Sequence, residues 1–472
     1  MKPLLSTPLK VTKLHISIVL CVCAILGLLN IQQGHFWGGD FSLYLAQTQA
    51  MMDGTMDELY AANKFSMDHS EHPLGPYLYP MGFCYILYPL VSMLGMNFFA
   101  LKVFNLLFLL GSITLLYPIL KRLEDQKSIA FFATALYAIN YQILYFADRI
   151  GTEFSFMFFC LLAIYLLRKD MSLFRAAMVG VILAICYSIR VTGLLLLPMV
   201  AVFHLTHFFI DGSWKKKWAV ILLPYVFFTL GWGLYSWKFG FLDNAYEDML
   251  QISMESLKNM TLFYGEALTQ LLIYLKLFPD FLKVIIALVF FSFCLIGLVK
   301  TIRVKNLYLI AFPGALTALY IVFPLDSLRF IVQTAPFVLY FFIRGLAFCI
   351  NRVKVLQPFG KYIFISMTIA ALIQTLGMTY MQRQKGTNTT FNPEIQKVYS
   401  YIKDQIPEEE IIIFRKPRVI RFFTGRNAIM VHDYQGANAD LANYCLIEPR
   451  DEIPDGFILE KEWEVMRLLK RE

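Results

Sequence analysis

Residues 15–44 read HISIVLCVCAILGLLN, then IQQGHFWGGD, then FSLY, which is an apolar run followed by a polar segment with a single acid, Asp40. Three lysines precede the run, and the segment after it is a poor match to the small-residue site at which signal peptides are cleaved. This stretch therefore predicts an uncleaved first membrane span with its N-terminus in the cytoplasm. It also predicts that Asp40 lies just beyond the outer end of that span.

The composition of the whole chain indicates a membrane protein. Of its 472 residues, 58% are apolar, 16% are aromatic and only 16% are charged, whereas a soluble domain carries about 25% charged residues. The mean hydropathy is +0.58. These values exclude a soluble enzyme, a disordered chain and a disulfide-stapled secreted domain. The eight cysteines show no metal-site or disulfide spacing, so we interpret them as apolar fillers. The predicted fold class is an all-α polytopic membrane domain.

Eleven apolar runs are interpreted as membrane spans, several of them short. After 15–30 they lie at 98–120, 128–146, 153–167, 175–189, 193–210, 218–237, 281–299, 306–323, 330–349 and 361–380. Every second loop between them is basic, and these loops with the N-terminus hold 18 of the 28 Lys and Arg residues before residue 381. By the positive-inside rule these loops are cytoplasmic and the C-terminus is external. The net charge of +8 thus reflects the basic cytoplasmic loops and does not indicate nucleic-acid binding.

One further apolar segment, 81–96, is short for a hydrocarbon core about 30 Å thick, and it contains Pro89. Counting it as a span would place the next basic loop outside. We therefore interpret 81–96 as a juxtamembrane or re-entrant part of the first external loop, 31–97.

The chain is expected to divide into a transmembrane domain, 1–380, and a polar C-terminal part, 381–472. Alternating strand and helix patterns predict that this part is a small external α/β domain. Its predicted elements are helix 393–404, strand 411–414, helix 418–423, strand 428–431, helix 437–444 and strand 445–447. Together with loops 31–97 and 238–280, this C-terminal domain places more of the chain outside the membrane on the external side than on the cytoplasmic side. Chemistry is expected on that side, where no cytosolic nucleotide is available.

Asp40 is the first candidate for catalysis. Two glycines precede it and let the backbone turn sharply and approach a ligand. A carboxylate at a membrane mouth can act as a general base. The alternative is that Asp40 caps the N-terminus of a helix over 41–52.

The same loop carries other polar side chains. Lys64 is either a contact for an anionic headgroup or an ordinary exposed lysine. A divalent metal site is conceivable in the cluster that follows, although its ligand spacing is not diagnostic. A solvated loop is the alternative. The cluster consists of Asp68, His69, Glu71 and His72.

Three ionisable residues, Asp148, Arg149 and Glu153, stand within six positions between the third and fourth spans. Arg149 and Glu153 have the i,i+4 spacing of an ion pair on one helix face. Glu153 begins an apolar span, and ionisable groups in such segments are functional candidates by default. The alternative is a structural ion pair that closes the helix end.

Two more arginines lie at the membrane boundary. Arg190 stands between two short spans, and Arg329 has Asp326 three positions before it as a possible partner. Each arginine needs an anion, either a carboxylate or a lipid phosphate, unless it snorkels to the interface. With Arg149 they place arginines and the Asp40 carboxylate on one side of the membrane. Stabilising a phosphate leaving group requires this combination.

These positions, in this order, resemble the GT-C superfamily of membrane glycosyltransferases. The branch they resemble most comprises the dolichyl-phosphate-mannose protein mannosyltransferases and the bacterial lipid A aminoarabinose transferases. The chain lacks the paired loop-1 acids and the large lumenal insert of the eukaryotic protein mannosyltransferases. The matching motifs are Gly39-Asp40-Phe-Ser-Leu-Tyr44, His72-Pro73-Leu-Gly75-Pro76, Thr152-Glu153, Arg190-Val-Thr192-Gly193, Arg329-Phe330 with Pro336, and Arg415-Lys416-Pro417-Arg418.

The resemblance implies inverting transfer of a sugar from a polyprenyl-phosphate donor, expected to be undecaprenyl phosphate, to a lipid, glycan or protein acceptor. It implies a multi-pass protein of the bacterial inner membrane with a periplasmic C-terminal domain. It assigns no metal ligand and requires no cofactor, and a divalent metal stays open. Asp40 matches the proposed base. The candidates for binding the substrate and its phosphate are Lys64, His72, Asp148, Arg149, Glu153, Arg190 and Arg329.

A polytopic transporter or flippase for a lipid-linked or small anionic substrate is the alternative function. Transporters often contain inverted repeats with broken helices near the membrane midplane. Here no repeat relates the two halves, and the ionisable residues gather at one surface. A membrane scaffold or a ligase-type polymerase without Asp40 chemistry is a third interpretation. No interpretation calls for a nucleic acid.

Overall fold

The computed structural model describes residues 11–71, 75–123, 127–210, 212–240, 253–275, 278–323, 326–384 and 390–472. Most of this part of the chain is helical. The helices are α1 Lys13–Asn30, α2 Gly39–Asp53, α3 Met56–Asp68, α4 Gly82–Leu94, α5 Phe98–Leu123, α6 Lys127–Ala138, α7 Tyr141–Leu144, α8 Glu153–Leu166, α9 Leu173–Ile189, α10 Leu196–His204, α11 Trp214–Phe239, α12 Met254–Thr269, α13 Asp280–Thr301, α14 Leu307–Val322, α15 Ile331–Arg352, α16 Gly360–Gln384, α17 Pro393–Gln405 and α18 Pro417–Thr424.

Eight helical segments of the described chain are long and apolar enough to cross a membrane, and α6 with Tyr141–Asp148 makes a ninth if this pair, bent by 46°, is one span. These nine coincide with predicted spans. The other two predicted spans are α8 and α9, with 14 and 17 residues. At 1.5 Å per residue they measure about 21 and 26 Å, less than the hydrocarbon thickness of about 30 Å. The prediction of a multi-pass α-helical membrane domain is confirmed.

The segment Leu328–Arg352, which contains α15, is the central helix of the bundle, and 89% of its apolar 18-residue stretch is buried. It crosses α13 at a pair of glycines. A Cβ atom on Gly297 would overlap the backbone of Phe341, and one on Gly345 would overlap the backbone of Phe293. Small residues allow this close approach, as is usual between membrane helices. The central position of α15 brings Arg329, just before its first turn, into the interior.

Segment 81–96 forms α4, which packs on α2 and α9. Tyr85, Met93 and Leu94 on this helix are exposed. The interpretation of α4 as juxtamembrane or re-entrant stays a prediction.

The C-terminal residues form a five-stranded sheet in the order β2-β1-β3-β5-β4. Its strands are β1 Ile411–Ile413, β2 Asn427–Ile429, β3 Tyr444–Ile447, β4 Phe457–Glu462 and β5 Arg467–Arg471. Strands β2, β1 and β3 are parallel, whereas β5 pairs antiparallel with both β3 and β4. Helices α17 and α18 lie where helices were predicted. The prediction of a small C-terminal domain with helices and strands is confirmed, whereas the boundary at residue 381 stays a prediction.

One predicted helix of this domain is wrong. Residues 437–444 contain only a 3-10 turn, Ala439–Leu441, because β3 already begins at Tyr444. Two strands were not predicted. In β4 every residue after Phe457 is exposed, so this edge strand lacks the apolar alternation that marks a half-buried one.

The sheet domain is anchored to the loop between α1 and α4. The backbone N–H of Glu71 donates to the Met430 carbonyl at 2.9 Å, and the Ser66 hydroxyl donates to the Ala428 carbonyl at 2.6 Å. The Glu71 carboxylate accepts the backbone N–H of His432 at 2.5 Å. On the other side of the domain, Trp37 packs against aromatic rings of the sheet domain. The domain therefore lies directly beside α2.

Candidate active site

A cavity of about 560 Å³ lies where the N-terminus of α2, the turn at 75–80, the junction of α9 with the following 3-10 turn, and the approach to α15 meet. Most of its wall is apolar, with side chains such as Leu194, Leu195 and Phe323. Its polar groups include Asp40, Arg190 and Arg329. A mostly apolar cavity with a few convergent polar groups is the usual form of a ligand site.

Asp40 stands in the first turn of α2, whose N-cap is Gly38. The N-cap alternative for Asp40 is therefore wrong, because the helix begins one residue before it. The hydroxyl of Tyr79 donates to Oδ1 of Asp40 at 2.5 Å, and Nη1 of Arg329 donates to Oδ2. Nη1 of Arg418 lies 3.6 Å from Oδ1. The carboxylate is thus held from three elements and keeps 28% of its side-chain surface exposed.

Glu153 contacts both arginines that line the cavity, Arg190 and Arg329. Nη1 of Arg190 donates to Oε1 of Glu153 at 3.3 Å and to the Thr152 hydroxyl at 3.2 Å. Nε of Arg329 lies 3.2 Å from the same Oε1, as an ion pair without hydrogen-bond geometry. Glu153 is only 2% exposed at its side chain, so its charge acts almost entirely on these two guanidinium groups. The chain of charges runs Arg418–Asp40–Arg329–Glu153–Arg190.

The local backbone explains why Arg190 faces the cavity. It ends α9 in an extended conformation, with φ −148° and ψ 133°. Its carbonyl oxygen accepts the N–H of Gly193 at 2.8 Å, which closes a tight turn. A Cβ atom on Gly193 would lie 2.6 Å from backbone atoms of Cys186 and Tyr187. Only glycine fits there, and the turn redirects the chain so that Arg190 points at Glu153.

The charges around Asp40 determine its protonation. Burial raises the pKa of the Asp40 carboxyl, but the positive charges of Arg329 and Arg418 and the hydrogen bond from Tyr79 outweigh burial and hold that pKa below its ordinary value. The N-terminal end of α2 also favours a negative charge at this position. Asp40 is therefore a carboxylate at neutral pH.

Asp148 lies outside the cavity. Its Oδ1 accepts the Lys102 ammonium at 2.7 Å and the backbone N–H of Gln32 at 2.7 Å. The Lys102 and Asp148 side chains are 1% and 7% exposed. Asp148 thus belongs to a buried ion pair between the third span and α5, and the structural alternative fits it.

Arg149 also lies away from the other arginines. Its guanidinium carbon stands 3.1 Å from the centroid of the Phe36 ring and 4.6 Å from that of Tyr145. The expected i,i+4 pair with Glu153 is not formed. Arg149 has an extended backbone, at φ −120° and ψ 141°, so it does not share a helix with Glu153.

The described polar side chains of this part of the first loop are also absent from the cavity lining. Lys64 is exposed and lies above the Tyr77 ring, 5.3 Å from its centroid. Asp68 accepts the Tyr77 hydroxyl at 2.8 Å, and the His69 ring contacts the Phe65 carbonyl. His72 lies outside the described residues. Within the described ranges no group of three potential metal ligands is found.

Sequence reasoning did not select Tyr79 or Arg418 as site residues. Tyr79 is one tyrosine among 26, in a Pro-rich turn. Arg418 follows Lys416 and Pro417, which reads as the exposed start of a short basic helix. The one signal for Tyr79 was the Gly75-Pro76 turn just before it, which makes a sharp chain reversal. Arg418 belongs to the matching motif Arg415-Lys416-Pro417-Arg418, but nothing in that motif marked it as a residue of the site.

Residues 44–239 match the family model described as dolichyl-phosphate-mannose-protein mannosyltransferase. The match includes Glu153 and Arg190, and it ends before Arg329. A comparison with curated protein sequences finds no significant match.

Solved structures of low identity share the fold. An oligosaccharyltransferase of Archaeoglobus fulgidus, solved as a complex with Zn and sulfate, matches at a TM-score of 0.61 with 11% identity, over 92% of this chain and 67% of that one. ArnT of Cupriavidus metallidurans bound to undecaprenyl phosphate matches at 0.56 with 10% identity, over 97% and 98%. The archaeal oligosaccharyltransferase AglB of A. fulgidus, with an inhibitory peptide and a dolichol-phosphate, matches at 0.55 with 12% identity, over 92% and 69%.

The family model describes a mannosyltransferase, and two of the three solved structures are oligosaccharyltransferases. The chain therefore shares the multi-pass fold of these structures, and its residues 44–239 are similar to the protein mannosyltransferase family.

Proposed function

We propose that this enzyme transfers a sugar from a polyprenyl-phosphate donor to an acceptor hydroxyl, with inversion at the anomeric carbon. The observation that carries the proposal is the shared cavity of Asp40, Arg190 and Arg329, whose remaining wall is largely apolar. A lipid phosphate needs both features, namely cations for the headgroup and apolar surface for the chain.

In the proposed reaction Arg190 and Arg329 bind the donor phosphate. The first isoprene units of the donor lie against Leu194, Leu195 and Phe323. Asp40 takes the proton of the acceptor hydroxyl while the oxygen of that hydroxyl bonds to the anomeric carbon. The bond from that carbon to the phosphate oxygen breaks, and its electron pair leaves with the polyprenyl phosphate. The arginines stabilise the charge that develops on the departing phosphate.

Glu153 serves to position the two arginines. It contacts both guanidinium groups through one oxygen and fixes them on the same side of the cavity. The Asp40–Arg329 ion pair is the resting arrangement, and a donor phosphate competes with Asp40 for Arg329. As Arg329 turns toward the phosphate, Asp40 becomes a stronger base.

We further propose that the reaction takes place on the external face of a bacterial inner membrane, with undecaprenyl phosphate as the donor lipid. The basic residues of alternate loops support a cytoplasmic N-terminus and a periplasmic C-terminal domain. The acceptor is a lipid, a glycan or a protein. In this arrangement the donor is made inside the cell and used where no nucleotide is present.

The test uses purified protein in detergent with radiolabelled polyprenyl-phosphate sugars and a membrane extract as acceptor. Wild type should transfer label, and the labelled product names the acceptor. Asp40→Asn should lose at least a hundredfold in rate, because a general base contributes about 10²–10⁴-fold. Asp57→Asn, which changes an exposed acid of the same loop, is the matched control. Equal activity of Asp40→Asn and wild type would refute the role of Asp40.

Location is tested separately. A single exposed cysteine placed by Glu460→Cys, in a background without the native cysteines, should react with a membrane-impermeant thiol reagent in intact cells. Labelling only after lysis would contradict the external position of the C-terminal domain.

A further inference from the structure

Arg418 comes from the sheet domain, yet its guanidinium group lies at Asp40. It occupies the first turn of α18, a helix that packs against α2. Its side chain is only 4% exposed, and Nη1 stands 3.6 Å from Oδ1 of Asp40. A charged group so deeply buried needs an anionic neighbour. Among the described residues, Asp40 is the acid with which it forms an ion pair.

The position of Arg418 is fixed by the turn at 75–80, which forms one wall of the cavity. Nη2 donates to the carbonyl oxygen of Pro76 at 2.6 Å, and the guanidinium carbon lies 5.6 Å from the centroid of the Tyr79 ring. The turn that carries Pro76 and Tyr79 therefore holds both the arginine and the carboxylate. The sheet domain is itself anchored by Glu71 and Trp37, so this geometry is not a loose surface contact.

Arg418 and Arg329 differ in how they are engaged. Arg329 contacts both Asp40 and Glu153 and lines the cavity. Nη1 and Nε of Arg418 have no hydrogen-bond partner among the described residues. The distance of 3.6 Å is long for a hydrogen bond, and catalytic contacts that are long in an empty site often shorten in the substrate complex.

We infer that Arg418 is the positioning residue that keeps Asp40 ionised and oriented once the donor has bound. This inference rests on the proposed function. Arg329 pairs with Asp40, and the donor phosphate draws it away. Arg418 does not compete for the phosphate because Nη2 is tied to Pro76. It therefore moves onto Oδ1 and replaces the lost partner, so that the sheet domain completes the catalytic centre.

Other groups facing Asp40 act in both states. Tyr79 donates to it, and Tyr44 lies on the same helix and lines the same cavity. Glu153 and Arg190 are one charge further away, on α8 and after α9. With Arg418 neutralised, the negative phosphate and Glu153 favour protonation of Asp40, whereas Tyr79, the N-terminal end of α2 and the residual field of Arg190 and Arg329 oppose it.

The test compares Arg418→Gln with wild type in the radiolabel assay, with the donor that wild type uses. Gln removes the charge and retains a donor for the Pro76 carbonyl. The readout is the ratio of the rate at pH 5.0 to that at pH 7.5, measured as kcat and as kcat/KM for the donor. The pH dependence of kcat reports the pKa values of the donor-bound enzyme, and that of kcat/KM reports the pKa values of the free enzyme.

We expect a wild-type ratio near one in both measures. In Arg418→Gln the kcat ratio should fall about tenfold, which corresponds to a displacement of the acid limb by about two pH units, in the middle of the range for the effect of a charge within about 4–6 Å. The kcat/KM ratio should fall less, because Arg329 still pairs with Asp40 in the free enzyme. Arg418→Lys should restore most of the kcat ratio.

Arg421→Met is the matched control. It alters the same helix, where Arg421 donates to Asn427 at 2.6 Å, and it should leave both ratios unchanged. If Arg418→Gln does not fold, Arg418→Met and Arg418→Lys give the same comparison. A kcat ratio that is unchanged, or lowered equally in Arg421→Met, overturns the inference. Wild type that transfers no label refutes the proposed function instead, so the two failures are distinct.

Discussion

Variants of the buried pair of Lys102 and Asp148 distinguish a structural role of Asp148 from a catalytic one. The sequence predicted that Asp148 belongs to the site. Lys102→Met removes the cation and leaves the Asp148 carboxylate with only the N–H of Gln32. The two side chains are 1% and 7% exposed and 2.7 Å apart. Removing one member of a buried pair costs about 3–5 kcal/mol, because the other charge stays buried without a partner.

The expected change in melting temperature follows from this figure. For a domain of 150–250 residues, 1 kcal/mol corresponds to about 2–4 °C, and the effect decreases with size. For this longer chain we take roughly 1–2 °C per kcal/mol. Lys102→Met should therefore lower the unfolding midpoint in detergent by roughly 3–10 °C, measured by tryptophan fluorescence at a fixed heating rate.

The double variant Lys102→Met/Asp148→Leu completes the cycle. Replacing both partners of a buried pair by apolar groups is often neutral or stabilising, so the double variant should recover most of the lost stability and should transfer sugar at a rate near that of wild type. Asp148→Asn alone should behave like Lys102→Met. If Asp148→Asn abolished transfer without lowering the midpoint, Asp148 would belong to the reaction and our interpretation of the pair would be wrong.

Three further predictions concern the cavity. Glu153→Gln changes the local charge from three arginines against two acids to three against one. It should bind undecaprenyl phosphate more tightly and lower kcat at least tenfold; weaker binding measured by native mass spectrometry would contradict the role of Glu153. Because Arg329 and Arg418 hold the pKa of Asp40 below its ordinary value, kcat/KM should stay level from pH 8 to about pH 5, and a fall between pH 7 and pH 6 would indicate a different base. Gly193→Ala should displace Arg190 and reduce transfer about a hundredfold, while Gly212→Ala, in an exposed turn, measures the effect of a glycine replacement outside the cavity.

The spans were predictable because apolar length and loop charge are local properties of the sequence. The run at 15–30 corresponds to α1, and the run at 330–349 corresponds to α15. Asp40, Glu153, Arg190 and Arg329 were selected because charges are rare beside such runs. These side chains meet in one cavity through contacts between residues as many as 289 positions apart. From the sequence, their meeting was expected only from the order of the motifs and the membrane topology.

The remaining site predictions depended on backbone details that periodicity does not encode. The pair of Arg149 and Glu153 required a continuous helix, and the chain is extended at Arg149 instead. Asp148 has the same local setting as Glu153, and only the position of Lys102 on another helix makes it structural. Arg418 is a charged residue in a polar domain, and its burial arises from the docking of α18 on α2 and from its contacts with Pro76 and Tyr79.

The distances along the chain between Asp40 and its two counter-ions have a consequence for synthesis. Arg329 follows Asp40 by 289 residues, and Arg418 follows it by 418 − 40 = 378 residues. At roughly 5–20 residues per second, about 20–75 s pass between translation of the acid and translation of Arg418. Throughout that interval a nascent chain lacks part of the proposed centre, so synthesis of the sheet domain, and not membrane insertion of the first helices, sets the earliest moment at which a new molecule becomes able to react.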